Sequence, residues 1–480
     1  MILSKLARIL VVLLALAGAA PASAADATAP LIVLGVDGLD HALALDGIRQ
    51  GRLPGLARLA REGSFAPLLP TTPAESPVSW AALVTGSNPG RTGIYDFVRR
   101  VRGTYGVELA TVRKHTTHLA LPPTWVVAMA AILSFAGAWP SGRRGRSRPL
   151  ARVLSVLVGG MLCLAACAVA RIPRDFETAR PARQGTAFWD VLGAAGRTTE
   201  VLWAPLEFPP RTTLSNVKLL PGLGTPDVLG TQGTYSLLTD AGAGGKRDLE
   251  MGGRVLGLDW RGDKATVDLP GPFETSCRLE LAREQANHLR IAGPFPAVEL
   301  ASGGWTDLLP MNYPLFPGFG LHSLSRLHVA GSKGRGVRVY VSPGGFDPEW
   351  PPPVLAVSHP RDFAGQLASE HGPYTMLGWA ADTMAVQDGV LDEDAFMESL
   401  EANFRQREKM LLGEAARSGW QTLFAVLEEP DRASHVLWRA ADPRHPFHDA
   451  ALSVRHAHSI EKVYGWIDAI VTKLRQARPD

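Results

Sequence analysis

The chain has 480 residues, 46% hydrophobic and 20% charged, so it is long enough to bury the cores of two or three domains. Its formal net charge of +3 is too small to argue for a nucleic-acid partner, and we identify no nucleic-acid-binding module. Cys163 and Cys167 lie in one apolar run and Cys277 is distant, which argues against a disulfide framework and a thiolate zinc site.

Residues 1–24 have the form of a secretory signal peptide. Lys5 and Arg8 precede an apolar stretch, and the segment ends in the small residues Ala22-Ser23-Ala24. An uncleaved anchor helix is the alternative. Either interpretation directs the following chain out of the cytoplasm.

A strand buried on both faces is predicted at residues 31–36, which read Leu-Ile-Val-Leu-Gly-Val. Asp37 follows at its carboxyl end, where open α/β sheets bind their ligands. An aspartate before a glycine can also start a turn or cap a helix, so two roles remain open for Asp37. Further along, a helix is predicted over residues 53–62, with Gly63 ending it.

The next candidate is Ser76. Pro77 suits the first position of a helix, which predicts that Ser76 is the N-cap residue. The free N–H groups and partial positive charge of a helix N-terminus favour a phosphate or a serine alkoxide. A purely structural cap is the alternative, and the strand-end Asp37 earlier in the chain favours the chemical role.

The segments IVLGVDGLD and SPVSWAALVTGSNPGRTGIYDF resemble the type I phosphodiesterase/nucleotide pyrophosphatase branch of the alkaline phosphatase superfamily. The resemblance implies an α/β fold with a mostly parallel central sheet and helices on both faces. It implies that Asp37 binds a metal and that Ser76 is the phosphoryl-accepting nucleophile. Ser79 stands where many relatives have an asparagine that contacts a phosphate oxygen.

A transmembrane helical hairpin is predicted as an insertion at residues 121–171, from the apolar segments 124–139 and 150–170. The loop between them should stay cytoplasmic because it carries four arginines, Arg143, Arg144, Arg146 and Arg148. A pair of buried core helices is the alternative. With the signal peptide, the hairpin indicates an inner-membrane-associated protein whose globular part faces the periplasm or the cell exterior.

The remaining chain is predicted to continue the core. The core is expected at residues 26–115, 184–240 and 355–480, interrupted by a β-rich lobe at 246–345 whose alternating polar and apolar residues indicate antiparallel strands. In the second core segment, Thr225, Asp227 and Thr231 either line a pocket or are polar because they lie in a loop.

Asp431 and His435 follow a predicted strand at residues 421–427. If a helix opens after Pro430, the two side chains face the same way and form half of a zinc-type site. A helix cap with a surface histidine is the alternative. The segment DRASHVLWRAADPRHP resembles the second metal-binding segment of the same family, in which the matching Asp and His bind metal.

The resemblance implies two divalent metal ions, zinc or alternatively manganese, with a phosphoester or pyrophosphate substrate. The candidate ligands are Asp37, Ser76, Asp431 and His435. In relatives, a further strand with an Asp-His-Gly segment follows the last helix, and this sequence ends at Asp480 before it. We therefore expect a truncated core with weak metal binding and little turnover. A membrane-associated phospho-head-group transferase and a non-catalytic membrane-tethered remnant are the alternatives, and the oligomeric state is left open.

Overall fold

The computed structural model describes residues 30–118, 157–161, 175–240, 247–249, 252–284, 288–316, 318–330 and 336–478. The predicted signal peptide lies outside these residues, and so does the predicted membrane hairpin except for the helical residues 157–161. None of the helices within the described ranges is long and apolar enough to cross a bilayer.

The described elements alternate between helices and strands in the first and last parts of the chain, and strands predominate between them. The helices are α1 (His41–Arg49), α2 (Pro54–Glu62), α3 (Ser76–Thr85), α4 (Pro89–Thr92), α5 (Phe188–Ala194), α6 (Phe363–His371), α7 (Thr383–Gln387), α8 (Glu393–Ala416), α9 (Glu429–Ala441), α10 (Ala450–His456) and α11 (Ser459–Ala477), with a 3₁₀ turn at Pro272–Glu274. The strands are β1 (Leu31–Val36), β2 (Val98–Arg100), β3 (Val107–Leu109), β4 (Val112–His118), β5 (Asp175–Pro181), β6 (Thr199–Ala204), β7 (Val217–Pro221), β8 (Ser236–Thr239), β9 (Arg247–Asp248), β10 (Arg254–Gly257), β11 (Trp260–Arg261), β12 (Lys264–Pro270), β13 (Ser276–Arg283), β14 (His288–Ala292), β15 (Val298–Ala301), β16 (Leu309–Phe316), β17 (Phe319–Ser325), β18 (Leu327–Ala330), β19 (Arg338–Val341), β20 (Gly345–Phe346) and β21 (Thr422–Leu427).

The central sheet consists of four parallel strands in the order β1–β21–β6–β7. Every residue of β6 and β21 is buried, so both faces of the sheet are covered there, as parallel sheets require. The predicted parallel α/β core is confirmed. Because the strands run in one direction, the residues that follow β1 and β21 leave the sheet at the same edge.

The strand β1 is less buried than its sequence predicts. Leu31 is 53% exposed and the rest of the strand is only partly buried, although all six residues are apolar or glycine. The prediction of a strand buried on both faces is therefore wrong for β1. The physical reason is its position, because β1 is the last strand at one side of the described sheet and pairs only with β21 there.

The strands β11 to β15 form an antiparallel sheet in sequence order. In β12 the side chains of Ala265, Val267 and Leu269 are buried and those between them are exposed, so one face of the strand packs on the core. The strands β8, β9, β10, β18 and β19 form a second sheet, and β16, β17 and β20 a third. The predicted short antiparallel strands of this region are present.

The last helix, α11, is tied to the start of the chain by two side chains. Asp468 accepts hydrogen bonds from the N–H groups of Gly55 (3.0 Å) and Leu56 (2.7 Å), and so caps the start of α2. The Tyr464 hydroxyl accepts from Asp40 N (2.8 Å) and donates to Gly38 O (3.2 Å). These contacts fix the loop that follows β1.

We predict that Tyr464→Phe lowers the free energy of unfolding by about 1 kcal/mol, because it removes both hydroxyl hydrogen bonds and leaves the ring packing intact. Denaturant unfolding followed by fluorescence measures the change. Tyr105→Phe is the matched control, because Tyr105 is 97% exposed. Equal stabilities of the two variants would contradict the role of Tyr464.

Candidate functional site

Asp37 lies at the carboxyl end of β1, and its backbone continues the sheet by one bond, from Asp37 N to Leu427 O (2.8 Å). Both carboxylate oxygens accept side-chain hydrogen bonds from one helix, α3. Ser76 Oγ donates to Oδ1 at 3.2 Å, and Trp80 Nε1 donates to Oδ2 at 3.0 Å. Ser76 and Trp80 are four residues apart and therefore lie on the same face of α3.

Ser76 is the first residue of α3, so the prediction that it is the N-cap residue is wrong by one position. Glu75 is the N-cap, and its carbonyl accepts from Val78 N (3.0 Å) and Ser79 N (2.9 Å). Pro77 accordingly stands at the second helical position, where its missing N–H still costs no intrahelical bond. The partly buried Ser76 hydroxyl remains at the helix N-terminus and points to Asp37. The hydroxyl of Ser79 contacts Thr71 Oγ1 at 3.0 Å.

Asp431 and His435 lie on α9, which begins at Glu429 directly after β21. His435 Nε2 is 3.5 Å from Asp431 Oδ1, and this contact raises the pKa of His435. His435 is exposed and Asp431 is partly buried. The spacing of four residues therefore brings the carboxylate and the imidazole together on one side of the helix.

The pair Asp37–Ser76 and the pair Asp431–His435 lie close together because Gly38, the residue after Asp37, packs against the backbone of Asp431. A Cβ atom added to Gly38 would lie 2.5 Å from Asp431 Cα, so α9 packs directly on the loop after β1. Burial and the charge of Asp431 raise the pKa of Asp37, although Trp80 and Ser76 donate to it. The two carboxylates are therefore close enough to repel each other.

The donor set suits a divalent cation of the zinc or manganese type, because it combines carboxylate and hydroxyl oxygens with an imidazole nitrogen. In the described part of the chain, the groups of three His, Cys, Asp or Glu residues with ligand atoms within 4.8 Å of one another do not include Asp37, Asp431 or His435. The four residues therefore form two pairs rather than one compact cluster.

A buried arginine beside this site was not predicted from the sequence. Arg432 stacks on the Trp379 ring at 3.6 Å from the centroid, and its Nη2 lies 3.4 Å from Glu428 Oε2. Its Nη1 is 3.8 Å from Asp431 Oδ2. Glu429, the next carboxylate, is 3.7 Å from the buried Arg407. The run of charged residues around Pro430, immediately after an apolar strand, is the sequence signal that could have indicated this cluster.

Three polar residues considered for a pocket are engaged within their own loop. Asp227 accepts hydrogen bonds from the backbone of Leu229, Thr231 and Thr234 and from the Thr231 hydroxyl. Thr225 Oγ1 donates to Gly222 O at 2.8 Å. Loop structure therefore accounts for their polarity.

A family model, type I phosphodiesterase / nucleotide pyrophosphatase, matches residues 31–226. The matched stretch contains Asp37 and Ser76, whereas Asp431 and His435 lie beyond it. No curated protein and no solved structure matches the chain significantly. The match supports a phosphoester hydrolase as the class of activity and agrees with the resemblance seen in the first part of the sequence.

We predict that Gly38→Ala destabilises the protein more than Gly51→Ala. Both glycines have positive φ angles, +68° and +72°, so alanine costs about 1–2 kcal/mol of backbone strain at either position. Only Gly38 is covered by another segment, and overpacking against Asp431 adds about 1–3 kcal/mol. Chemical denaturation of the two variants measures the difference. If both lose the same free energy, α9 does not pack on the loop as described.

Proposed function

We propose that this protein hydrolyses phosphoric esters of the phosphodiester or nucleotide pyrophosphate type, with Ser76 as the nucleophile. The observation that carries the proposal is the hydrogen bond from Ser76 Oγ to Asp37 Oδ1, within the segment that the family model matches. Its further support is the second pair, Asp431 and His435, which α9 holds against the loop after Asp37.

In the proposed reaction Ser76 Oγ attacks phosphorus while the bond to the leaving oxygen breaks, which gives a phosphoseryl group. Water then cleaves the phosphoseryl bond and releases the phosphoryl product. Asp37 accepts the hydrogen bond of the Ser76 hydroxyl, and Trp80 holds the other carboxylate oxygen, so the nucleophile keeps one orientation.

We propose that Asp37, Ser76, Asp431 and His435 hold two divalent cations, of zinc or alternatively manganese. Bound cations supply positive charge that lowers the pKa of the serine hydroxyl and neutralises phosphoryl oxygens. The chain itself supplies the donor atoms, because β1, α3 and α9 bring the two pairs of residues to one edge of the sheet.

We also propose a cell-envelope location, with association to the inner membrane and the globular part on the periplasmic or extracellular side. The support is in the sequence alone, in the leader-like residues 1–24 and in the two apolar segments flanking the loop of four arginines.

We predict that Ser76→Ala lowers the rate of bis-p-nitrophenyl phosphate hydrolysis by about 10³-fold or more, because it removes the nucleophile. Ser434→Ala is the control, since this serine adjoins His435 but its hydroxyl donates to Pro430 O at 2.7 Å. Release of p-nitrophenol in the presence of zinc or manganese measures both rates. Unchanged turnover in the Ser76 variant would refute the proposal.

We expect EDTA to abolish hydrolysis and added Zn²⁺ or Mn²⁺ to restore it. His435→Asn should weaken cation binding by at least about 10-fold, because loss of a proposed ligand should cost no less than loss of a residue that only orients one. His458→Asn should leave binding unchanged, since His458 is 85% exposed and precedes α11. Titration with a zinc-sensitive dye measures affinity independently of turnover. Equal affinities of the two histidine variants would remove His435 from the site.

A further inference from the structure

A second cluster of metal-capable side chains lies at the opposite edge of the central sheet. Its members are Glu200 in β6, Glu370 and His371 at the end of α6, and Glu414 near the end of α8. In the sheet, Glu200 is in register with Leu423, which is in register with Ile32. Ile32 precedes Asp37 by five residues, which is about 16 Å along a strand. The cluster is therefore distinct from the Ser76 site.

Three of these residues already have the spacing of ligands. Glu370, His371 and Glu414 each offer one ligand atom, and these atoms all lie within 4.8 Å of one another. His371 Nε2 is 2.6 Å from Glu414 Oε1 and 3.9 Å from Glu370 Oε2. Glu414 is fully buried, and His371 packs closely on α8 at Gly413, where an added Cβ would collide with the ring.

Glu200 is an independent indication of a ligand. Its side chain contacts the carboxyl group of Glu414 and is only 4% exposed. No fixed donor reaches its Oε1, Lys218 Nζ is 3.8 Å from its Oε2, and burial together with the hydrogen bond to Glu414 raises the pKa of Glu200 to about 8. Two buried carboxyl groups in contact repel each other when both are ionised, so at neutral pH this pair holds a proton that a bound cation would replace. A cation between Glu200 and Glu414 satisfies both groups.

The positive charges that neutralise the carboxylates of this cluster belong to two exposed side chains, those of Arg417 and Lys218. Arg417 pairs with both oxygens of Glu370 and with Glu414 at 3.1 Å, and Lys218 is the other cation. Both side chains are 44% exposed, so they can turn into solvent. Three of the candidate ligands, in contrast, extend from a buried strand and from two helices of the core.

We propose that Glu370, His371 and Glu414 bind a divalent cation of the zinc or manganese type, with Glu200 as a further ligand, and that Arg417 releases Glu370 when the cation binds. An imidazole with carboxylates favours these metals over calcium and magnesium, which prefer oxygen ligands alone. The cation links β6, α6 and α8, so its role is to hold the core together.

The test counts cations on the full chain. Protein stripped with EDTA is dialysed against Zn²⁺ or Mn²⁺, and bound metal is measured by mass spectrometry together with the melting temperature. All variants also carry Asp431→Asn, which removes a proposed ligand near Asp37. The cations that are counted then belong to the second cluster, and the result does not depend on hydrolysis. We expect Glu414→Gln to bind one cation fewer per chain and to lose most of the metal-induced rise in melting temperature.

Two further variants keep the test decisive if Glu414→Gln folds poorly. Arg417→Gln removes the guanidinium group that competes with the metal for Glu370 and Glu414, so it should tighten metal binding about tenfold. If the cluster is only an ion-pair network, the same change lowers the melting temperature and does not tighten metal binding. Glu401→Gln is the control, because this glutamate also lies on α8 and pairs with Arg405 and Lys462 at the surface. The proposal is overturned if Glu414→Gln and Glu401→Gln bind the same number of cations, or if Arg417→Gln binds no more tightly than its parent.

Discussion

The register between β1 and β21 is the constraint on which the candidate site depends. Six consecutive residues of β1 pair in parallel with six of β21, and the ladder ends with the bond from Asp37 N to Leu427 O. A shift by one residue would turn the Asp37 side chain to the other face of the sheet, away from α3. The same shift would move Gly38 away from Asp431. Both pairs of candidate ligands are therefore positioned by one strand pairing.

Excess negative charge is the second feature of this edge. The carboxylates of Asp37, Asp431, Glu428 and Glu429 outnumber the two buried guanidinium groups, those of Arg407 and Arg432. Burial raises the pKa of Glu428 and Glu429 as it does that of Asp37. Four carboxyl groups beside two guanidinium groups leave this edge short of positive charge, which the cations of the proposed function would supply. The stacking of Arg432 on Trp379 ties this edge to a segment outside the matched family region.

Much of the local structure could be predicted because it follows from short-range patterns. The periodicity of residues 53–62 and the apolar run at 421–427 correspond to α2 and β21. The burial of β1 could not be predicted, because its edge position depends on strand order rather than on its own residues. Trp80, Tyr464 and Arg432 were missed for a related reason. Their partners are distant in sequence or lie in another element, and no local pattern encodes such contacts.

The helix α8 connects the two edges of the sheet. Arg407 lies beside Glu429 near the candidate site, and Glu414, seven residues later, contacts Glu200 and His371 at the other edge. Seven residues of α-helix span about 10 Å, so one rigid element carries a charge to each cluster. The proposed cation would hold this helix at Glu414, while the contact of Arg407 with Glu429 holds it near the candidate site. Arg407 also lies 5.3 Å from the centroid of the Trp203 ring in β6, so α8 contacts the strand that carries Glu200 at both of these positions.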